Sequence, residues 1–392
     1  MEEFFAVSPP GVESIVAAEL GRLGIAGRVV PGGVEWTGDV SSMRRANLHA
    51  RTAARVLARA GVFRARTFFE LERHAARVQW GRFVGSGSTV QLRVTSRKSR
   101  LYHEGAIAER LTRAIAASTG ATAVVGADDE REGEAAQLVV VRVDRDVFTI
   151  SADTSGALLH RRGYRQETAL APLRENLAAV LIEVAAWNGT EPLVDPFCGS
   201  GTIPIEAALL ARRIPPGLAN PEFAPRRYAF ERWPGHDADA WDREVAAARA
   251  EIRDRAPCPI FGSDRSAAAI RAARANAARA GVASDIEFTV AAMARAPVPS
   301  GAGVLMTNPP YGVRVTVPEA TRRLYSDLGR FVRERLGAWR VVMLSPGVAL
   351  ERETRLGFKA IAETRNGGIP VRIVLTGPQR GRENGGGPRR YD

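Results

Sequence analysis

Two regimes of apolar patterning divide the chain. From Pro192 onward, short apolar runs alternate with helix-length segments, the signature of a parallel sheet flanked by helices. Leu193-Val194, Ile260-Phe261-Gly262, Ile286–Val290, Val304–Thr307 and Arg340–Leu344 read as strands. Helices start at Gly201 and at Ser266, the second alanine-rich and stopped by Gly281. Phe358–Glu363 and Val371–Leu375 close the series as a hairpin turning on Asn366-Gly367-Gly368, so seven strands are expected, the last antiparallel. Before Pro192 the reading is α+β: strand Phe4–Val7, amphipathic helix Gly11–Leu23 and strand Val34–Trp36. These are followed by a helix around Phe69–Trp80, an alternating strand Thr89–Thr95 and a helix Glu104–Ser118. A hairpin then joins Gln137–Val143 to Val147–Ala152 across Asp144-Arg145-Asp146. Leu173, Leu177, Val180, Val184 and Trp187 fall on one face of a further helix, most of it core. The expected division is 1–50, 51–155, a bridge 156–187, a catalytic part 188–376, and a Gly-, Arg- and Pro-rich tail 377–392 read as disordered.

Composition narrows the class. The 392 residues carry 55 basic and 43 acidic side chains, a net +12, which suits a polyanionic partner because basic groups release counterions from phosphates. Lys98 and Lys359 are the only lysines, so the charge is almost all arginine, a bias that GC-rich codon usage also produces. Arg93, Arg97, Lys98 and Arg100 with Tyr102 form a basic cluster carrying one aromatic, a candidate RNA contact. Cys198 and Cys258 sit in unlike contexts, so no disulfide framework is expected and the cytoplasm is the expected compartment. The five histidines are scattered without ligand spacing, so no metal is expected. No signal peptide and no membrane span are expected, and the chain is expected to be a monomer.

Three segments carry chemistry. Asp195-Pro196-Phe197-Cys198-Gly199-Ser200-Gly201-Thr202 lies between a strand and a helix, where open α/β sheets bind ligands. Gly199 and Gly201 allow close backbone approach, and Asp195 offers a carboxylate to a cation. A phosphate loop would instead want a lysine after the glycines, so the acid points to a zwitterionic cofactor with an ammonium group, such as S-adenosylmethionine. Asp264, followed by Arg265 at the next strand tip, can accept bonds from both hydroxyls of a ribose. It lies 69 residues beyond Asp195, against roughly 20 in a plain dinucleotide fold, and the excess Arg212–Pro257 reads as an insertion over the site. Asn308-Pro309-Pro310-Tyr311 follows the fourth strand. The Asn308 carboxamide and a Pro309 carbonyl could accept the two hydrogens of a planar amine, restoring its lone pair, and Tyr311 offers a face for an extruded base.

Together Asp195–Thr202, Asp264 and Asn308–Tyr311 look like a class I methyltransferase of the amino-methylating branch. Residues 1–376 more narrowly resemble the bacterial large-subunit ribosomal RNA guanine-N2 methyltransferases, which carry a ferredoxin-like unit and a THUMP RNA-binding domain. The echoes are His160-Arg161-Arg162-Gly163-Tyr164-Arg165, Ala171-Pro172-Leu173-Arg174-Glu175-Asn176-Leu177-Ala178, and Trp233-Pro234-Gly235-His236-Asp237 with Trp241. The resemblance implies that residues near Pro172 and Asn176 wall the cofactor pocket, that residues 50–155 grip RNA, and that Arg161, Arg162 and Arg165 contact phosphates. It implies guanine-N2 methylation of ribosomal RNA, with transfer RNA, an N6-adenine or glutamine-amide target, or a non-catalytic RNA-binding protein as alternatives. In one place the chain departs from the pattern. Val290-Ala291-Ala292-Met293 has no acid where such enzymes hold the adenine amino group, so Ala292 leaves that edge to apolar and backbone contact, at a cost of about 1 kcal/mol.

Overall fold

The computed structural model describes residues 1–125, 136–166, 173–219, 226–311 and 319–378. The chain folds into two compact units, 1–163 with 214–252 and 164–213 with 253–392.

In the first unit, β1 (Glu2–Val7), α1 (Glu13–Arg22), β2 (Arg28–Val30), β3 (Gly33–Gly38) and α2 (Val40–His49) come first. β4 (Arg55–Arg64), α3 (Phe68–Ala75), β5 (Thr89–Arg97), α4 (Glu104–Thr119), β6 (Thr122–Val125), β7 (Ala136–Asp144) and β8 (Val147–Asp153) follow. The strands make one eight-stranded sheet in the order β2-β3-β1-β4-β8-β7-β5-β6. The segments expected as separate units, 1–50 and 51–155, are therefore joined, because β4 pairs with β1 on one side and β8 on the other. The period-2 pattern sends Phe4, Ala6, Val34, Trp36, Val56, Ala58, Phe148 and Ile150 to one core. The β7–β8 turn places Arg145 and Asp146 at positive φ, as a two-residue hairpin demands. Inside β4, Arg55 is buried with Asp153, whose carboxylate also accepts the Ser155 and Gly156 amides at 2.9 and 3.0 Å. A buried pair so fully hydrogen-bonded is one the interior tolerates.

Most of the stretch expected as an insertion, Arg212–Pro257, groups with the first unit. Residues 214–252 complete the first unit. Trp241 packs edge-on against Tyr228 and Phe230, with centroids 5.5 and 5.1 Å apart, and all three join the core of that unit. Asp237 caps the helix Ala238–Ala250 by accepting the Ala240 amide at 2.9 Å.

The second unit contains α5 (Glu175–Val184), β9 (Leu193–Asp195) and α6 (Thr202–Ala211). The chain then passes through α7, the Ala238–Ala250 helix of the first unit. It returns at β10 (Ile260–Asp264), α8 (Ala267–Arg279), β11 (Ile286–Val290), β12 (Val304–Thr307) and α9 (Glu319–Arg335). β13 (Arg340–Ser345), α10 (Val348–Thr354), β14 (Lys359–Asn366) and β15 (Ile369–Thr376) end it. The seven strands order as β11-β10-β9-β12-β13-β15-β14, parallel from β11 to β13, with β15 antiparallel to both neighbours. α6 is buried all round, as expected of a helix between sheet and outer layer. From β9 the order runs to β10 on one side and to β12 on the other, so the switch point lies between β9 and β12.

Candidate active site

The carboxyl ends of β9 and β12 open into a cavity of about 1050 Å³ lined by residues of the second unit. Pairing of Val194 with Leu305 sets the two ends side by side. One oxygen of Asp195, Oδ1, accepts the Thr307 hydroxyl at 2.8 Å and the Phe197 amide at 3.1 Å. Thr307 immediately precedes Asn308, so that bond ties the first motif to the third. Burial pushes the Asp195 carboxyl up to about 7, against the lowering effect of those two bonds and with a small upward contribution from Asp264. Such a group is suited to a cation, which would restore its charge.

Gly199 adopts φ +53° with open space where a Cβ would stand, and it lines the cavity. Its amide donates to Asp264 Oδ2 at 3.2 Å, while Asp264 Oδ1 accepts the Ser266 amide at 2.9 Å, so the two loops hold each other. Ser200 is fixed through its carbonyl, which accepts the buried Asn276 amide at 3.0 Å. At the third motif, Asn308 lines the cavity and its Oδ1 is buried without a hydrogen-bond partner among the described residues. A buried carbonyl oxygen left unpaired costs roughly 1–3 kcal/mol, so this one awaits a donor from a ligand. Tyr311 is half-buried, and its hydroxyl accepts the Asn366 Nδ2 at 3.0 Å. Burial raises the phenol pKa and the Asn366 bond opposes it.

Of the residues expected from sequence, Asp195, Pro196, Phe197, Gly199, Ser200, Thr202, Asp264, Arg265, Ala292 and Asn308–Tyr311 meet at this cavity. Gly201 is absent from the lining and serves packing: at φ +86°, a Cβ there would stand 3.0 Å from Ala273 Cβ and 3.2 Å from Phe288. Asn176 is buried in the first turn of α5 and is likewise absent from the lining, where Leu173 stands instead. Pro172 and the tail beyond residue 378 lie outside the described residues. Ala292 and Met293 line the edge expected to lack an acid. Sequence reading missed α9, whose Thr321, Leu324 and Phe331 form another wall, although its i, i+3, i+4 apolar spacing was available. It also missed Thr307, whose polarity at the end of a buried strand was the usable signal.

The arginines expected to meet phosphates separate into two kinds. Arg97, Lys98, Arg100 and Arg161 are exposed, and Arg93 is half-buried. Arg162 is buried, donating to the Leu159 and Arg51 carbonyls, and Arg165 grips the Glu175 carboxylate at 3.0 and 3.1 Å. Both are engaged by the protein's own oxygens, in contrast to the four exposed basic residues. Among the described residues no cluster of His, Cys, Asp and Glu could hold a metal, and no described helix is long and apolar enough to cross a membrane.

Residues 162–373 match the family profile of the RMKL-like methyltransferase domain, and residues 3–57 match that of the RlmL ferredoxin-like domain. A Synechocystis sp. protein provisionally named an RNA methyltransferase is 32% identical over 383 residues, 95% of either chain. The ribosomal RNA large subunit methyltransferase K/L of Syntrophotalea carbinolica is 33% identical over 95% of this chain, which spans 53% of that relative's length. Among solved structures, SMU.472, a provisionally assigned methyltransferase complexed with SAH, superposes with a TM-score of 0.85 at 28% identity, covering 97% of this chain and 99% of its own. A Listeria monocytogenes protein named by prediction an N6-adenine-specific DNA methylase superposes at 0.82 with 32% identity, covering 96% and 95%. With the seven-stranded sheet, the paired loops and the profile match across more than half its length, the chain belongs to the RMKL-like methyltransferase family and carries an RlmL-type ferredoxin-like domain at its N-terminus.

Proposed function

We propose that this chain methylates the exocyclic N2 amino group of a guanine in large-subunit ribosomal RNA. At the coarser level it is an S-adenosylmethionine-dependent RNA methyltransferase of the RlmK/L family. The observation that carries the proposal is the pairing of a buried carboxylate, Asp195, with the unpartnered Asn308 Oδ1 on adjacent strand ends in one cavity.

S-adenosylmethionine fits the residues present, and when bound it supplies an electrophilic methyl group on a sulfonium. Asp195 takes its ammonium, Asp264 its ribose hydroxyls, and Ala292 with Met293 the apolar edge of its adenine. Asn308 Oδ1 and the Pro309 carbonyl accept the hydrogens of the target amine and hold its lone pair toward the methyl group. Tyr311 stacks on the flipped base. RNA is gripped by the THUMP-like part of the first unit, with Arg97, Lys98, Arg100 and Arg161 as exposed candidates. The net charge of +12 suits that partner.

The Asn-Pro-Pro-Tyr corner serves any planar nitrogen, and the name of the Listeria protein keeps an N6-adenine target in view. The test is methyl transfer from labelled donor to undermodified ribosomal and transfer RNA, followed by nucleoside mass spectrometry. N2-methylguanosine in large-subunit RNA is expected. Methyladenosine or a transfer-RNA product would replace the proposal. Asn308→Ala should lower turnover by at least 100-fold with donor affinity nearly unchanged by calorimetry, and full activity in that variant would remove the assigned role.

A further inference from the structure

The hairpin β14–β15 looks in sequence like a simple edge element that needs Asn366 for its turn. The structure gives the turn to the next two residues: Gly367 and Gly368 sit at φ +55° and +86°, and Asn366 is the last paired residue of β14, opposite Ile369. The turn therefore does not require an asparagine at 366. Yet Asn366 is buried, its Nδ2 donates to the Tyr311 hydroxyl at 3.0 Å, and its Oδ1 has no hydrogen-bond partner among the described residues. Burying an amide with half its capacity unused is unfavourable for a hairpin end alone. Ile369, its cross-strand partner, lines the cavity beside Tyr311. Two further polar groups lie near the Tyr311 ring. Tyr325 Oη and Glu351 Oε1 are buried there without partners, and among the described residues Asn366 is the side chain bonded to the Tyr311 hydroxyl.

We infer that Asn366 is a positioning residue for the methyl-transfer site: its amide pins the Tyr311 hydroxyl and so fixes the ring on which the target base stacks. The inference rests on the functional reading above for what Tyr311 does, but the bond itself is independent of it. Pre-setting the ring spares the enzyme from ordering it when the base arrives. The β14–β15 hairpin thereby becomes part of the base pocket.

The test compares Tyr311→Phe, Asn366→Leu and the double variant in the full chain. Each single change should lower kcat with RNA roughly tenfold, while the donor KM and its calorimetric Kd stay within about twofold. The double variant should be no worse than either single one, because both remove the same bond. Asn366→Asp, which keeps a partner for the phenol whether ionised or not, should recover most of the loss. An unfolding cycle on the same four proteins reads the coupling without any substrate. Multiplying losses, or parental kcat in Asn366→Leu, would overturn the inference. If that variant does not fold, Asn366→Ala takes its place. Parental kcat in Tyr311→Phe would overturn the inference alone. If the parent protein methylates no RNA, the functional reading fails instead, and absence of coupling in the unfolding cycle then separately refutes the Tyr311–Asn366 pin.

Discussion

Asp195 shows how burial and charge are balanced at one residue. Removal from water pushes its folded carboxyl up to about 7 from an ordinary value of 3.8. Because the folded value is raised, the folded state holds the proton more tightly than the unfolded chain. This group's contribution to stability is then fully present below about pH 4 and lost as pH rises toward 7. Donor binding has the opposite sign, since an ammonium needs the ionised form. Affinity for S-adenosylmethionine should be roughly five- to tenfold weaker at pH 6 than at pH 7.5, with proton release at the lower pH. Calorimetry in buffers of different ionisation enthalpy measures both, and a Kd flat across that range would show that Asp195 does not face the ammonium.

At the scale of elements, the two glycines of the first loop look alike in sequence and differ in the fold. Gly201 opens α6 in the left-handed region against Ala273 and Phe288, so Gly201→Ala should cost about 2 kcal/mol of unfolding free energy in urea. Gly199→Ala shares the left-handed strain at φ +53° but meets open space, so it should cost only about 1 kcal/mol and, by projecting a methyl into the cavity, also weaken donor affinity. Equal loss of stability in both would refute the distinction. Spacing alone could not separate them, because the discriminating neighbours lie more than 70 residues away in α8 and β11. Strands of the second sheet were legible because they are short apolar runs set between helix-length segments: Ile286–Val290 and Val304–Thr307 appear with the bounds expected. β4 was not. Arg55, Arg59 and Gly61 interrupt its alternation, a register shift lies between Arg59 and Gly61, and the partner that makes Arg55 tolerable in the interior is 98 residues away. A charged residue in a core cannot be recognised until its counter-ion is placed.

For the molecule as a whole, the reassigned stretch 214–252 has the largest effect on how the sequence should be cut. Arg212 Nε donates to the Arg253 carbonyl at 2.8 Å and the Arg253 amide donates to the Arg212 carbonyl at 2.8 Å, so the chain leaves and re-enters the second unit at one clasped point. Between those points lies part of the core of the first unit. Trp241→Ala should therefore lower the unfolding free energy by about 3 kcal/mol and leave donor affinity unchanged within twofold, as read by melting and calorimetry. A large change in affinity would mean that the stretch serves the cavity after all. Its tryptophans suggested a cover for the site because aromatic content marks burial without saying in which core.

The same interleaving constrains synthesis on the ribosome. β9 is translated before residues 214–252, and its sheet neighbour β10 only after them. While the nascent chain emerges, the eight-stranded sheet must wait with an unfilled aromatic socket, and the seven-stranded sheet exists as a solitary strand. Neither half can close as an early, self-sufficient folding unit, so a translational pause before codon 252 would present sticky surface to chaperones.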